Sequence, residues 1–187
     1  MPNIKFFIKT PLLIKAYFLL LMSLIAFLIF IIHGCFINSA EKDIVPWLTV
    51  FITFIAAILT GIFAIHNSIK QHTISFWIDV RTSDTYVKAL DVVNKFASGN
   101  KLNLELIEQK NFKDDIQPHL LQILNHLEFC AVCLRSGDFD EFILKNAMKS
   151  IVLRNYEFAS PYIENLRIVE NKETIFEHLE TLYQRWK

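Results

Sequence analysis

The residue types able to do chemistry in this sequence gather between positions 119 and 135. Cys130-Ala131-Val132-Cys133 is a CxxC pair. A redox pair needs a thiolate activated near a helix N-terminus, whereas this pair falls towards the end of a helix. His119, His126, Cys130 and Cys133 follow one another at spacings of 7, 4 and 3, on one side of that helix. A structural zinc site wraps four ligands around one ion. One straight helix spreads these four over about 20 Å of axis at about 1.5 Å per residue. His126 and Cys130 therefore supply half a site at most, across a dimer. The thiols read as packed core, with no metal and no cofactor expected.

Asn125, Glu128 and Arg135 are polar groups on the same, largely apolar helix. As chemistry, they suggest a polar cluster of the kind helical nuclease domains build, using Glu128, Arg135 or His126. The RxxxxH spacing that such domains use is missing. As structure, they suggest a buried bridge from Glu128 to Arg154 or Arg167, costly to break from one side. The structural reading is preferred. Four scattered glycines supply no phosphate-binding loop. No nucleophile–base–orienter set emerges from the spacing, so no catalytic residue is assigned.

The elements that must position these groups follow from composition. The chain has 187 residues, 53% hydrophobic and 20% charged, with 19 basic and 19 acidic side chains and 17 Phe. Its mean hydropathy is +0.34, which excludes a disordered chain. Three cysteines exclude a disulfide-built scaffold. Zero net charge argues against a globally basic nucleic-acid binder, and nucleic acid is not an expected partner.

Two stretches lack Asp, Glu, Lys and Arg altogether, the 25 residues from Ala16 to Ala40 and the 26 from Ile44 to Ile69. A bilayer core of about 30 Å takes about 20 helical residues. The sequence thus predicts a transmembrane hairpin over 16–69, with spans at about 16–38 and 45–67. Lys5, Lys9 and Lys15 precede it, Lys70 and Arg81 follow it, and the short connector Glu41-Lys42-Asp43 has a single Lys. The positive-inside rule then places the connector, about 39–44, outside. Both the segment 1–15 and the domain 70–187 fall in the cytoplasm, giving a multi-pass inner-membrane protein. Two processing routes are weaker fits. The first apolar run is longer than the core of a cleavable signal, and His33 spoils a lipoprotein box at Cys35.

Thr49, Thr53, Ala56, Thr60 and Ala64 fall on one face of the second span. Small residues let helices approach closely in lipid. This face packs either against the first span or against another copy of the chain.

Residues 70–187 hold 15 basic and 17 acidic side chains, with apolar residues at helical spacing throughout. The expected fold class is all-α, a cytoplasmic helical bundle behind the hairpin. One helix is expected from Ile69 to Ala97, stopped by Ser98-Gly99-Asn100, then a short acidic segment over 102–109. Pro118 opens a strong helix to Arg135, with Leu120, Leu124, Leu127, Ala131 and Leu134 on one face and Gly137 as its stop. Asp138 is the expected N-cap of the next helix, with Glu141 completing a capping box. Ser160-Pro161 starts another helix. Glu173 to Trp186 forms the last, burying Ile175, Leu179, Leu182 and Trp186.

From about Pro118 to Lys187 the chain resembles an uncharacterised bacterial and phage family of membrane-anchored helical proteins. The resemblance is carried by Leu124-Asn125-His126-Leu127-Glu128-Phe129, Gly137-Asp138-Phe139-Asp140, Pro161-Tyr162-Ile163-Glu164 with Arg167, and the ending Phe176 to Trp186. It implies N-terminal spans followed by a helical domain of unknown function, and brings no catalytic residues. The expected function is a non-enzymatic membrane protein whose domain binds a protein partner or itself, with the lipid bilayer as its other partner. The bacterial and phage occurrence of the family extends this to phage exclusion or another membrane-localised regulatory task. A membrane-tethered nuclease and a small oligomeric channel are the alternatives.

Overall fold

The computed structural model describes residues 18, 20–30, 44–99 and 101–187. Segment 1–15, Cys35 and nearly all of the expected outer connector lie outside the described residues. Among the described residues the regular structure is entirely helical. The chain divides into two compact units at Ile69/Lys70.

In the first unit, helix α1 covers Leu20–Phe30, and helix α2 begins at Ile44 and runs to Thr82, entering the second unit at Lys70. Leu20, Ser23, Leu24 and Phe27 are the half-buried residues of α1. On α2 the half-buried stripe is Phe51, Ile55, Ile58, Ile62 and Ile65. Both stripes keep helical spacing. The two helices meet where Phe27 stacks on Phe51, ring centroids 4.5 Å apart and planes 8° from parallel. Thr49, Thr53, Ala56, Thr60 and Ala64 occupy the other side of α2 and are exposed. Of the two partners open to this face, α1 is therefore not the one it meets among the described residues. Larger isoleucines bury more apolar area there. The hydroxyls of Thr53 and Thr60 donate back to the carbonyls of Thr49 and Ala56, each at 2.8 Å. α2 is long and apolar enough to cross a membrane, and none of its most apolar stretch is buried.

The second unit holds the end of α2, then α3 (Asp84–Gly99), α4 (Leu104–Glu108), a π-helical turn (Phe112–Ile116), α5 (Gln117–Ser136), α6 (Glu141–Val169) and α7 (Glu177–Trp186). α5 is central and packs against α3, α6 and α7. Leu120, Ile123, Leu124 and Leu127 of this helix have no accessible surface. Gly137 ends it in the left-handed region at φ 83°, a conformation that residues with a Cβ rarely adopt.

Four boundaries differ from expectation, each for a local reason. The helix expected over 69–97 breaks at Ser83. Its hydroxyl engages Thr85 at 2.9 Å and its carbonyl accepts from Val87 N–H at 3.0 Å, which makes Ser83 the start of α3. Asp138 is not an N-cap. The N–H groups of Gly137, Asp138 and Phe139 all point at the Cys133 carbonyl, within 2.9–3.3 Å. Those residues therefore finish α5, the Asp138 carboxylate accepts from Ser136, and Asp140 caps α6 by accepting from Ile143 N–H at 3.1 Å. Ser160-Pro161 starts no helix, because α6 runs through Pro161. The proline lacks the N–H that would serve the Glu157 carbonyl. The Ser160 hydroxyl donates to that carbonyl instead, at 3.2 Å. Finally, α7 starts at Glu177 and not at Glu173. Phe176 is buried in the left-handed region at φ 56° and interrupts the helix. Ile175, expected in the core, is half-buried.

Candidate functional site

α7 has no cap of its own. The residue before its first turn is Phe176, which offers no side-chain acceptor, and the leading N–H groups of a helix need one. The acceptor comes from α5, about 50 positions back in sequence. Both Glu128 carboxylate oxygens are used, one accepting from Leu179 N–H at 2.7 Å and the other from His178 N–H at 3.3 Å. A carboxylate there also complements the positive end of the helix dipole. Two turns along α5, the Arg135 guanidinium lies 3.0 Å from His178 Nδ1. Because Arg135 only donates, Nδ1 is the ring nitrogen without a proton. The other ring nitrogen is 3.6 Å from the Glu177 carboxylate.

The structure therefore unites two of the three polar residues singled out in the sequence, Glu128 and Arg135, at His178. Asn125 is exposed on α5 and stands apart. The bridge expected from Glu128 to Arg154 or Arg167 is absent. Arg154 is exposed, and Arg167 donates to Glu180 at 2.8 Å and to the Ile175 carbonyl at 2.9 Å. His126 also lies elsewhere. Its ring packs 5.1 Å from Tyr86 and its Nδ1 is 3.3 Å from the Gln122 carbonyl.

Further contacts tie α7 down. Glu141 at the start of α6 accepts from Trp186 Nε1 at 3.1 Å and pairs with Arg185. Glu157 accepts from the Tyr183 hydroxyl at 3.0 Å, and Tyr183 stacks on Tyr156 at 4.5 Å. The chemical meaning of the whole arrangement is positional. Its carboxylates hold N–H groups and cations. Sequence reading missed His178, Glu141 and Trp186 as members. The available signal was a helix start, Phe176-Glu177-His178, lacking Ser, Thr, Asp or Asn at the cap position.

Cys130 and Cys133 are buried in α5. Burial, then the neighbouring Cys133, pushes the Cys130 thiol up to about 12. Burial and then Asp138 raise Cys133 as well. Both stay protonated at neutral pH, and a thiol in that state is a poor nucleophile. Among the described residues no three His, Cys, Asp or Glu side chains gather closely enough to hold a metal.

The profile of a protein family described as a domain of unknown function (DUF4760) matches residues 47–186. The chain belongs to the DUF4760 family. No curated protein and no solved structure matches it. The DUF4760 match is wider than the resemblance noted over 118–187, for it takes in most of α2 and every helix after it. The Glu128–His178–Arg135 junction thus lies inside the DUF4760 domain, as does the exposed small-residue face from Thr49 to Ala64.

Proposed function

We propose that this chain is a multi-pass inner-membrane protein whose cytoplasmic helical domain, residues 70–187, is a protein-interaction module. One observation carries the reading. An apolar helix of spanning length, with none of its most apolar stretch fully buried, continues into a bundle whose central polar residues serve to hold helices together. The anchor is the hairpin of spans at about 16–38 and 45–67, and the flanking Lys5, Lys9, Lys15, Lys70 and Arg81 keep both termini in the cytoplasm.

The partner within the membrane is a second copy of the chain, meeting it across Thr49, Thr53, Ala56, Thr60 and Ala64. Exposure of this face on the side away from α1 supports that choice. The protein's task is membrane-localised regulation, and the resemblance to bacterial and phage proteins makes phage exclusion the first case to examine. Chemical crosslinking of the full chain in membranes is expected to yield dimers, which Ala56→Leu combined with Thr60→Leu abolishes by holding the backbones apart. A wild-type chain that crosslinks only as a monomer defeats the self-association reading.

A further inference from the structure

Phe142, near the start of α6, is 78% exposed, and the chain on either side of it is firmly placed. Asp140, two residues earlier, donates its N–H to the hydroxyl of buried Thr73 at 2.8 Å. Phe139 is buried, with its ring 5.5 Å from His72 and 4.7 Å from Phe76. The turn that leads to Phe142 is therefore fastened to α2 at residues 72–76.

That stretch of α2 follows closely on the end of the uncharged run at Ile69. Thr73 is four positions further on, about 6 Å along a helix and no more than about 15 Å by any path of the backbone. The headgroup layer of a bilayer adds about 5–8 Å beyond the hydrocarbon on each side. A residue bonded to Thr73 is thus within reach of the lipid–water boundary. Two details give direction. α6 leads away from this turn, since its later residues Phe158 and Tyr162 meet Phe96 and Phe112. Helical side chains tilt towards the N-terminus of their own helix, which leans Phe142 back towards the Thr73 end. On α2 itself, Ile74 remains exposed, so apolar surface continues past Ile69. The charges nearby, Asp138, Glu141 and Lys145, are of mixed sign, and Glu141 is engaged by Arg185. Attraction to an anionic surface is not the driving force, which leaves apolar contact.

We propose that Phe142 enters the headgroup layer of the bilayer as an aromatic interfacial anchor for the cytoplasmic domain. Aromatic rings are favoured in that layer. The inference rests on the membrane reading above, and its test separates the two. The full chain is made with the photoreactive substitution Phe142→p-benzoylphenylalanine, and separately with the same substitution at Phe63 in α2 and at Leu104 in α4. Each is placed in vesicles of phosphatidylethanolamine and phosphatidylglycerol containing radiolabelled phospholipid, and irradiated. All three positions are exposed, so each tolerates the analogue. Label is expected on the chain at 63 and at 142, several-fold above that at 104. Label at 63 with none above the 104 level at 142 overturns this inference and leaves the membrane reading standing. A protein adduct at 142 in place of lipid overturns it too. Absence of label at 63 overturns both.

Discussion

Trp186→Ala is expected to destabilise the helical domain by about 3–5 kcal/mol, the range for removing a large aromatic side chain from a packed core. Among the described residues Trp186 is the largest fully buried side chain, at 1% exposure. It shares the inner face of α7 with Leu179 and Leu182, and it stands at the end of the helix where fraying would otherwise begin. The loss has a second component. Trp186 Nε1 donates to Glu141 at 3.1 Å, and Glu141 is left to Arg185 alone once the indole is gone. Trp186→Phe keeps most of the buried area and removes only this bond, for a loss of about 1 kcal/mol. Urea unfolding of the full chain in detergent, followed by far-UV circular dichroism, measures both. Equal losses for Ala and Phe would mean that packing is not what the indole contributes. No loss for either would remove α7 from the core.

Glu128→Ala is the second large effect, expected at about 2–4 kcal/mol because two helix-leading N–H groups lose a charged acceptor in a half-buried setting. Glu128→Gln retains an oxygen but not the charge, and is expected to cost about 1–2 kcal/mol. Arg135→Ala removes an exposed donor from His178 and is expected to cost under about 1 kcal/mol. The order Ala, Gln, then Arg135→Ala marks a capping carboxylate. A catalytic carboxylate behaves differently, since its amide variant leaves unfolding untouched and abolishes turnover. Unfolding curves of the three variants therefore separate the structural role from the nuclease alternative. Unchanged stability in Glu128→Ala would contradict the capping role outright.

Helix periodicity made α5 legible in the sequence, from the proline near its start to Gly137 at its end, with Leu120, Leu124, Leu127, Ala131 and Leu134 all buried. Such local signals read well because they depend on a few neighbouring residues. Three of the four misread boundaries turned on a competing local bond, and the fourth on buried Phe176 in the left-handed region. Ser160 is the clearest. Ser-Pro is a fair helix start by type, but here the serine hydroxyl supplies what the proline lacks, and burial of Tyr156, Ala159, Tyr162 and Ile163 holds the helix straight through. The polar cluster was legible only by half. Glu128 and Arg135 stood out as polar residues on an apolar helix, while their common partner His178 lies 43 positions beyond Arg135. Only the packing of α5 against α7 brings them together. On α2 the sequence showed the small-residue face clearly, yet which face met α1 depended on the larger buried area of the isoleucine stripe opposite.

The helix that begins at Ile44 is the proposed membrane anchor. The most direct test washes membranes carrying the full chain with alkaline carbonate and urea, then floats them on a density gradient. The chain is predicted to stay with the lipid through both washes and to rise with the floating membranes. Release into the soluble fraction would contradict the membrane anchor, and with it the function proposed for the domain behind it.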